Sequence, residues 1–486
     1  MAYKNLREFI SCLESQAELV RVTEQVSPIL EITEIADRVI KAGGPALLFE
    51  RPTGFDIPVL INAMGSQKRM ALALGVEDIS EITREVETLL QPEIPDSLVG
   101  KIRLLSRYGR LAMFTPKVVS SGPCQEIVMT DNASLADLPV LQCWPGDGGQ
   151  FITLPMVFTK DHHTGTRNVG MYRMQIYDER TTGMHWHPQK VGACHYAEYE
   201  RLGRRMEVAV ALGGDPALIY SASAPLPEEL DEMVFAGFLR KKAVEMVQCK
   251  TIDLQVPAES EIVIEGYVDP YERRPEGPFG DHTGYYSTAS DFPVFHVTCI
   301  TMRESPIYPA TIVGRPPMED CFMAKATERI FLPLLRLQIP EIVDINLPIE
   351  GVFHNFAFVS IRKRYPGQAR KVMHALWGLG QMAFTKVIVV FDENVDVHDL
   401  GEVIWRLGNN IDPERDVEFV IGPVDILDHA SRYPGFGSKM GIDATKKMLG
   451  EGFTREWPDE IRMSSEVVAR IDEIWERLGI QLPAPR

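Results

Sequence analysis

The chain predicts a mixed α/β and β protein of three domains, and three observations carry that prediction. Its 486 residues exceed what one hydrophobic core serves. Helical and strand periodicities alternate over residues 1–118 and return over 323–486. Between them, over 119–322, short alternating runs are separated by Gly, Pro, Asp and Asn clusters, which fits a β-barrel or a sandwich.

The elements follow in order. Asn5 and Glu8 form a capping box ahead of Leu6, Phe9, Ile10, Leu13 and Ala17, which recur at helical spacing. A second helix, around 31–42, stops at Gly43-Gly44-Pro45 and gives way to a strand, Ala46-Leu47-Leu48-Phe49. In the central region, 169–177, 261–268 and 292–302 alternate as half-buried strands, with one helical insertion within 226–250. Beyond 325 the order is strand 355–361, helix 368–379, strand 386–391, helix 397–407 and strand 417–421. That alternation implies right-handed crossovers and a doubly wound sheet. A terminal amphipathic helix, 464–478, can cover the body or a second subunit.

Composition narrows the function classes. Asp plus Glu number 68 against 50 Lys plus Arg, a net charge of −18, which argues against nucleic acid or an anionic membrane as the main partner. Seven cysteines without CxxC spacing point to a reducing compartment and to no zinc ribbon. No apolar run approaches the roughly 20 residues that span a bilayer. Met1-Ala2-Tyr3-Lys4-Asn5 lacks signal-peptide character, so a cytoplasmic protein is expected.

Four stretches can carry chemistry. Glu276-Gly277-Pro278-Phe279-Gly280-Asp281-His282-Thr283-Gly284 places two carboxylates five residues apart on a Gly/Pro-shaped turn at a strand end. A solvated surface hairpin has the same composition. In Arg167-Asn168-Val169-Gly170-Met171-Tyr172-Arg173, parity sends Asn168 and Arg173 to opposite strand faces. A bulge at Gly170 would let them converge, and arginine grips carboxylates in two-point fashion. Gly183-Met184-His185-Trp186-His187-Pro188-Gln189-Lys190 offers histidines, an indole and a cation to a planar ring and an anion. His185 and His187 also have i,i+2 metal-ligand spacing. Gly435-Phe436-Gly437-Ser438-Lys439-Met440-Gly441 reads as a glycine loop around a phosphate, or as a flexible connection.

Together these segments resemble the UbiD family of decarboxylases, in particular its branch acting on 3-polyprenyl-4-hydroxybenzoate in ubiquinone synthesis. The resemblance runs from 30–38 and 42–49 through 167–173, 184–186, 209–216, 275–286 and 314–317 to 437–445. It implies a flavin-reductase-like split β-barrel as the central domain. It implies prenylated FMN as cofactor, its phosphate held through Mn2+ (or Mg2+) with K+ nearby. Asn168 and Glu232 match metal ligands, and Gln189 stands where the family has a histidine. His187, on the same strand face, could compensate. Met171, Tyr172, Arg173, His185, Trp186, His187, Lys190 and Val191 match flavin-lining positions, and Lys439 would approach the phosphate.

Arg173, Glu276 and Asp281 would be the catalytic trio. Arg173 would orient the substrate carboxylate and Asp281 would act as a neutral acid, its pKa raised by burial beside another carboxylate. The implied partners are an aromatic acid, a flavin prenyltransferase that supplies the cofactor, and further copies of the chain in a dimer or hexamer. A lipid-like substrate would bring contact with the inner face of the cell membrane. Two other readings of the same residues are a flavin reductase and a non-catalytic relative with weakened metal binding.

Overall fold

The computed structural model describes residues 3–90, 112–227 and 230–480; Met1 and Ala2 of the opening segment lie outside them. Helix α1 (Leu6–Ser15) is capped by Asn5, whose side chain accepts from Arg7 N and Glu8 N. Glu8 does not return to Asn5; its carboxylate accepts from Lys4 N at 2.6 Å. Strands β1 (Leu19–Val22), β2 (Ala46–Phe49) and β3 (Val59–Ile61) pair in that order. Residues Tyr308–Pro309 add a fourth strand to β3, so the first sheet borrows from beyond the first domain. Helix α2 (Glu31–Lys41) covers it with Ile32, Ala36 and Ile40.

The central region holds β4 (Met156–Lys160), β5 (Arg167–Gly170), β6 (Thr181–Gly183), β7 (Met206–Leu212), β8 (Ile262–Glu276) and β9 (Ser290–Met302). They form one antiparallel sheet in the order β6-β9-β8-β7-β4-β5, with Ile127–Met129 also on β9. The expected split barrel is not confirmed: among the described residues β5 and β6 end the path without pairing to each other. The helices between β6 and β8 include α3 (Val191–Arg201) and α4 (Glu232–Arg240).

Helix α5 (Glu319–Gln338) joins the central region to the last domain. Met323, Ala326 and Ile330 enter the first core and Leu332 enters the C-terminal one. The last sheet contains β10 (Ile342–Asn346), β11 (Phe356–Ile361), β12 (Val387–Asp392), β13 (Val417–Pro423) and β14 (Phe436–Asp443), in the order β10-β11-β12-β14-β13. Alternate residues of β11 and β12 feed two cores. One is closed by α6 (Gln368–Trp377) and the other by α7 (Leu400–Asn410), so the sheet is wound on both faces. Only β11, β12 and β14 are parallel. Residues 417–421 are therefore an antiparallel edge and not the third parallel strand. The Gly435–Gly441 segment is that third strand and not a phosphate loop. Its lysine and methionine face side chains across the sheet, and the Gly441 backbone abuts Met373 of α6. The last helix, α8 (Ser465–Ile474), buries none of its residues.

Candidate active site

The site forms where β5, β6 and β8 run out. A Cβ at Gly170 would stand 2.2 Å from the Tyr172 hydroxyl, so glycine is what lets that ring fold back over the strand end. The chain leaves the sheet there and resumes strand geometry at Met174–Gln175. This supplies the break that the parity of Asn168 and Arg173 required. From β8, Glu276 arrives fully buried. The following turn is pinned by Gln175 Oε1, which accepts from Gly277 N at 2.7 Å, and by Asp147 Oδ1, which accepts from Gly280 N at 2.8 Å.

Arg173 gathers the trio. Its Nε donates to Glu276 Oε1 at 2.8 Å and its Nη2 to Glu276 Oε2 at 3.1 Å, a bidentate pair. Nη1 donates to Asp281 Oδ2, and Nη2 also reaches Ser287 Oγ at 3.1 Å. The Phe279 ring lies under the guanidinium, 4.5 Å from its carbon. Each carboxylate then meets a histidine pair. His185 Nδ1 is 2.9 Å from Glu276 Oε2, and its Nε2 is 2.7 Å from His187 Nε2. His282 Nδ1 is 2.8 Å from Asp281 Oδ1, and its Nε2 is 2.8 Å from His354 Nε2.

These contacts reverse one expectation. Burial would raise the Glu276 carboxyl, but hydrogen bonds from His185 and Arg173 outweigh it and hold it at about 2. Burial acts the same way on Asp281, and His282 and Arg173 hold its carboxyl well below the usual range. Asp281 is therefore not a stored neutral acid, because each carboxylate meets its own cation before it meets the other. His282 is raised to about 9: burial opposes the charge, and the bond to Asp281 overcomes it.

Met171, Tyr172, Arg173, His185, His187 and Lys190 line one cavity. Phe279 and Asp281 complete that wall, and Leu427 enters from the C-terminal domain. Trp186 stands buried behind them with its Nε1 unpartnered among the described residues. It abuts Gly192 in the first turn of α3, a helix that begins at Val191 and has no side-chain N-cap. Lys190 lines the cavity without an ion pair among the described residues, and burial lowers its pKa. An orphaned indole N–H and a desolvated ammonium are donors a phosphate can use, and the cavity beside them, lined in part by Tyr172, His185, His187 and Phe279, suits a flavin.

The oxygen donors also converge in part. Glu232 Oε2 accepts from Val169 N at 3.0 Å, next to Asn168, and burial raises its carboxyl to about 7. Asn168 Nδ2 is tied to Thr159 Oγ1 at 3.4 Å, leaving its carbonyl oxygen available. A buried carboxylate and an amide oxygen fit a hard divalent cation. Gln189 is exposed. Lys439 is not brought in: its ammonium donates to Ala383 O and lies over Trp377, inside the C-terminal domain. Residues that sequence reasoning passed over include His282, His354, Asp425 and Leu427. His282 is adjacent to Asp281 in the chain and could have been read. His354, Asp425 and Leu427 reach the site only through domain packing.

Three family models match in chain order. They are the N-terminal (10–89), Rift-related central (117–316) and C-terminal (321–444) domains of 3-octaprenyl-4-hydroxybenzoate carboxy-lyase. The chain belongs to the UbiD family of carboxy-lyases. An uncharacterized protein of Archaeoglobus fulgidus is 53% identical over 480 residues, covering 98% of this chain and 99% of that one. The closed form of vanillic acid decarboxylase from Sedimentibacter hydroxybenzoicus superposes with a TM-score of 0.86 at 29% identity, covering 98% of this chain and 99% of that one. Its open form superposes with a TM-score of 0.80 at 29% identity, covering 99% of this chain and 100% of that one. The UbiD-class enzyme HmfF from Pelotomaculum thermopropionicum, in complex with FMN, matches with a TM-score of 0.78 at 30% identity, covering 93% and 97%. An evolved dimeric form of HmfF is in complex with prFMN. A carboxy-lyase family leaves the flavin-reductase reading without support. Among the described residues no helix is long and apolar enough to cross a membrane.

Proposed function

We propose that this chain releases carbon dioxide reversibly from a 4-hydroxybenzoate-type acid, 3-polyprenyl-4-hydroxybenzoate being the first candidate, with prenylated FMN as cofactor. The observation that carries this is the buried Arg173–Glu276–Asp281 cluster, whose Arg173 and Asp281 line a cavity together with Tyr172, His185, His187 and Phe279. The likeness to vanillic acid decarboxylase, whose substrate is itself a 4-hydroxybenzoate, supports the substrate class.

Bound in the cavity, the cofactor would supply the electron sink for the pair left on carbon. Lys190, Trp186 and the first turn of α3 would hold its phosphate. Asn168 and Glu232 would hold a manganese or magnesium ion, with potassium beside it. Arg173 has given four of its five hydrogens to Glu276, Asp281 and Ser287, so one Nη1 hydrogen remains for the substrate carboxylate. One bond orients that carboxylate, while two acids keep it from being fully neutralised. The neutral product, carbon dioxide, is favoured over the bound anion. Asp281 then passes a proton to the carbon. The flavin prenyltransferase supplies the cofactor, and α8, with its apolar residues uncovered, is the contact for a second copy.

The test is to co-express the chain with a flavin prenyltransferase, record its visible spectrum and assay carbon dioxide release from 4-hydroxybenzoates with Mn2+. Asp281→Asn and Arg173→Ala should abolish release and leave a bound flavin spectrum. Normal turnover in either variant would discard these roles.

A further inference from the structure

Asp281 is ionised where the reaction needs an acid, and the proton has to be kept somewhere within reach. His282 is in reach on both sides. Its backbone N and its Nδ1 both meet Asp281 Oδ1, at 2.7 and 2.8 Å. Its Nε2 faces His354 Nε2 at 2.8 Å, a distance at which two imidazoles share a single proton. A carboxylate oxygen of Asp425 lies within 4.8 Å of the ligand-type nitrogens of both rings.

The C-terminal domain aims His354 at this point. Val352 and Phe353, just before it, both take the left-handed conformation, with φ of 56° and 44°. For a β-branched residue that conformation costs on the order of 1–3 kcal/mol and persists only where the surroundings enforce it. The turn is held by Phe353 N donating to Pro348 O and Asn355 N to Gly351 O, each at 3.1 Å. The Phe353 ring also lies 5.6 Å from that of His282. From the loop after β13, Asp425 faces His282, Leu427 enters the cavity, and the His429 ring lies tilted against Tyr285 with centroids 4.0 Å apart.

We propose that His282, positioned by His354 and Asp425 of the C-terminal domain, stores the proton that Asp281 delivers. This rests on the decarboxylase reading. In the charged state His282 is an imidazolium, donating Nδ1–H to Asp281 and Nε2–H to His354. The Nδ1–H bond breaks and an O–H bond forms on Asp281, leaving a neutral imidazole. The O–H bond then breaks as the C–H bond forms where carbon dioxide left, which restores the carboxylate. One proton from water recharges His282 in each turnover. The groups facing His282 are Asp281, Asp320, His354 and Asp425, and Asp428 also faces His354. Four carboxyls around two imidazoles favour one shared positive charge. His354 is lowered to about 4, by burial first and then by that charge.

The test uses the holoenzyme with His354→Gln and, as a second variant, Asp425→Asn. Each should lower kcat about 10- to 100-fold, with KM within about 2-fold. Each should also move the alkaline limb of kcat down from near pH 9 by about one unit or more, with the bound-flavin spectrum unchanged. NMR titration of the His282 ring without substrate should show the same displacement, whether or not the protein turns over the acid tested. Absence of wild-type turnover alongside a shifted ring titration would thus fault the substrate reading and leave the store intact. An unshifted His282 titration in both folded variants would overturn it. So would one equivalent of tightly bound metal that His354→Gln releases and Glu232→Gln keeps.

Discussion

Arg173 is held by two carboxylates, each with a pair of histidines behind it, and the two arms differ in where the second histidine comes from. Behind Glu276, His185 and His187 are two residues apart in one strand-like segment. Behind Asp281, His282 is local, but His354 is 72 residues away in another domain. The Glu276 arm is complete within the central region and holds the guanidinium with two parallel bonds. The Asp281 arm is complete only when the C-terminal domain sits down on it. A self-contained arm suits a fixed scaffold, whereas an arm built from two bodies can be made and broken in each turnover. Asp425 touches both electrostatically, since its charge also acts on His187 and Lys190.

The comparison is broken most forcefully through the Glu276 arm. Glu276→Ala leaves a buried guanidinium short of its main partner and should cost about 3–5 kcal/mol, read from urea unfolding, together with loss of activity. Asp281→Asn keeps the bidentate pair and should lose activity at a much smaller cost in stability. Equal losses from the two would mean that the arms are not different in kind. Gly170→Ala drives a methyl into Tyr172 and should destabilise by about 1–3 kcal/mol while weakening flavin retention, measured by the ratio of flavin to protein absorbance.

Acid should act on the Glu276 arm with a defined sign. Its carboxyl is held at about 2 in the folded protein against an ordinary 4.5, so its stabilisation is fully present above pH 4.5 and is lost as pH falls toward 2. Urea midpoints measured across that window should flatten in Glu276→Gln. The smallest effect on the site should come from removing residues 464–486. The apolar side chains of α8 are uncovered, as are Phe419 and Ile421 of β13, each 73% exposed. Truncation should lower the oligomeric mass by light scattering and leave the flavin spectrum unchanged.

Several elements were legible in the chain because their causes are local. The capped first helix, the stop at Gly43-Gly44-Pro45 and the apolar β12 all declare themselves within a dozen residues. Even the break at Gly170 follows from side-chain parity. Partner choice between strands did not, because β13 and β14 have alternation that fits either direction of pairing. The setting of Lys439 was hidden for a related reason: two of the glycines that suggested a loop, Gly437 and Gly441, are close-contact positions within β14. The charge state of Asp281 was beyond the sequence as well. Two acids near each other predict a raised pKa, and what decides the outcome is which cations stand nearer. The residues themselves determined the strand ends and the chemistry they carry. Tertiary structure decided which histidine backs which acid, because that requires two separately folded bodies to meet and electrostatic energy depends on distance in space, not along the chain.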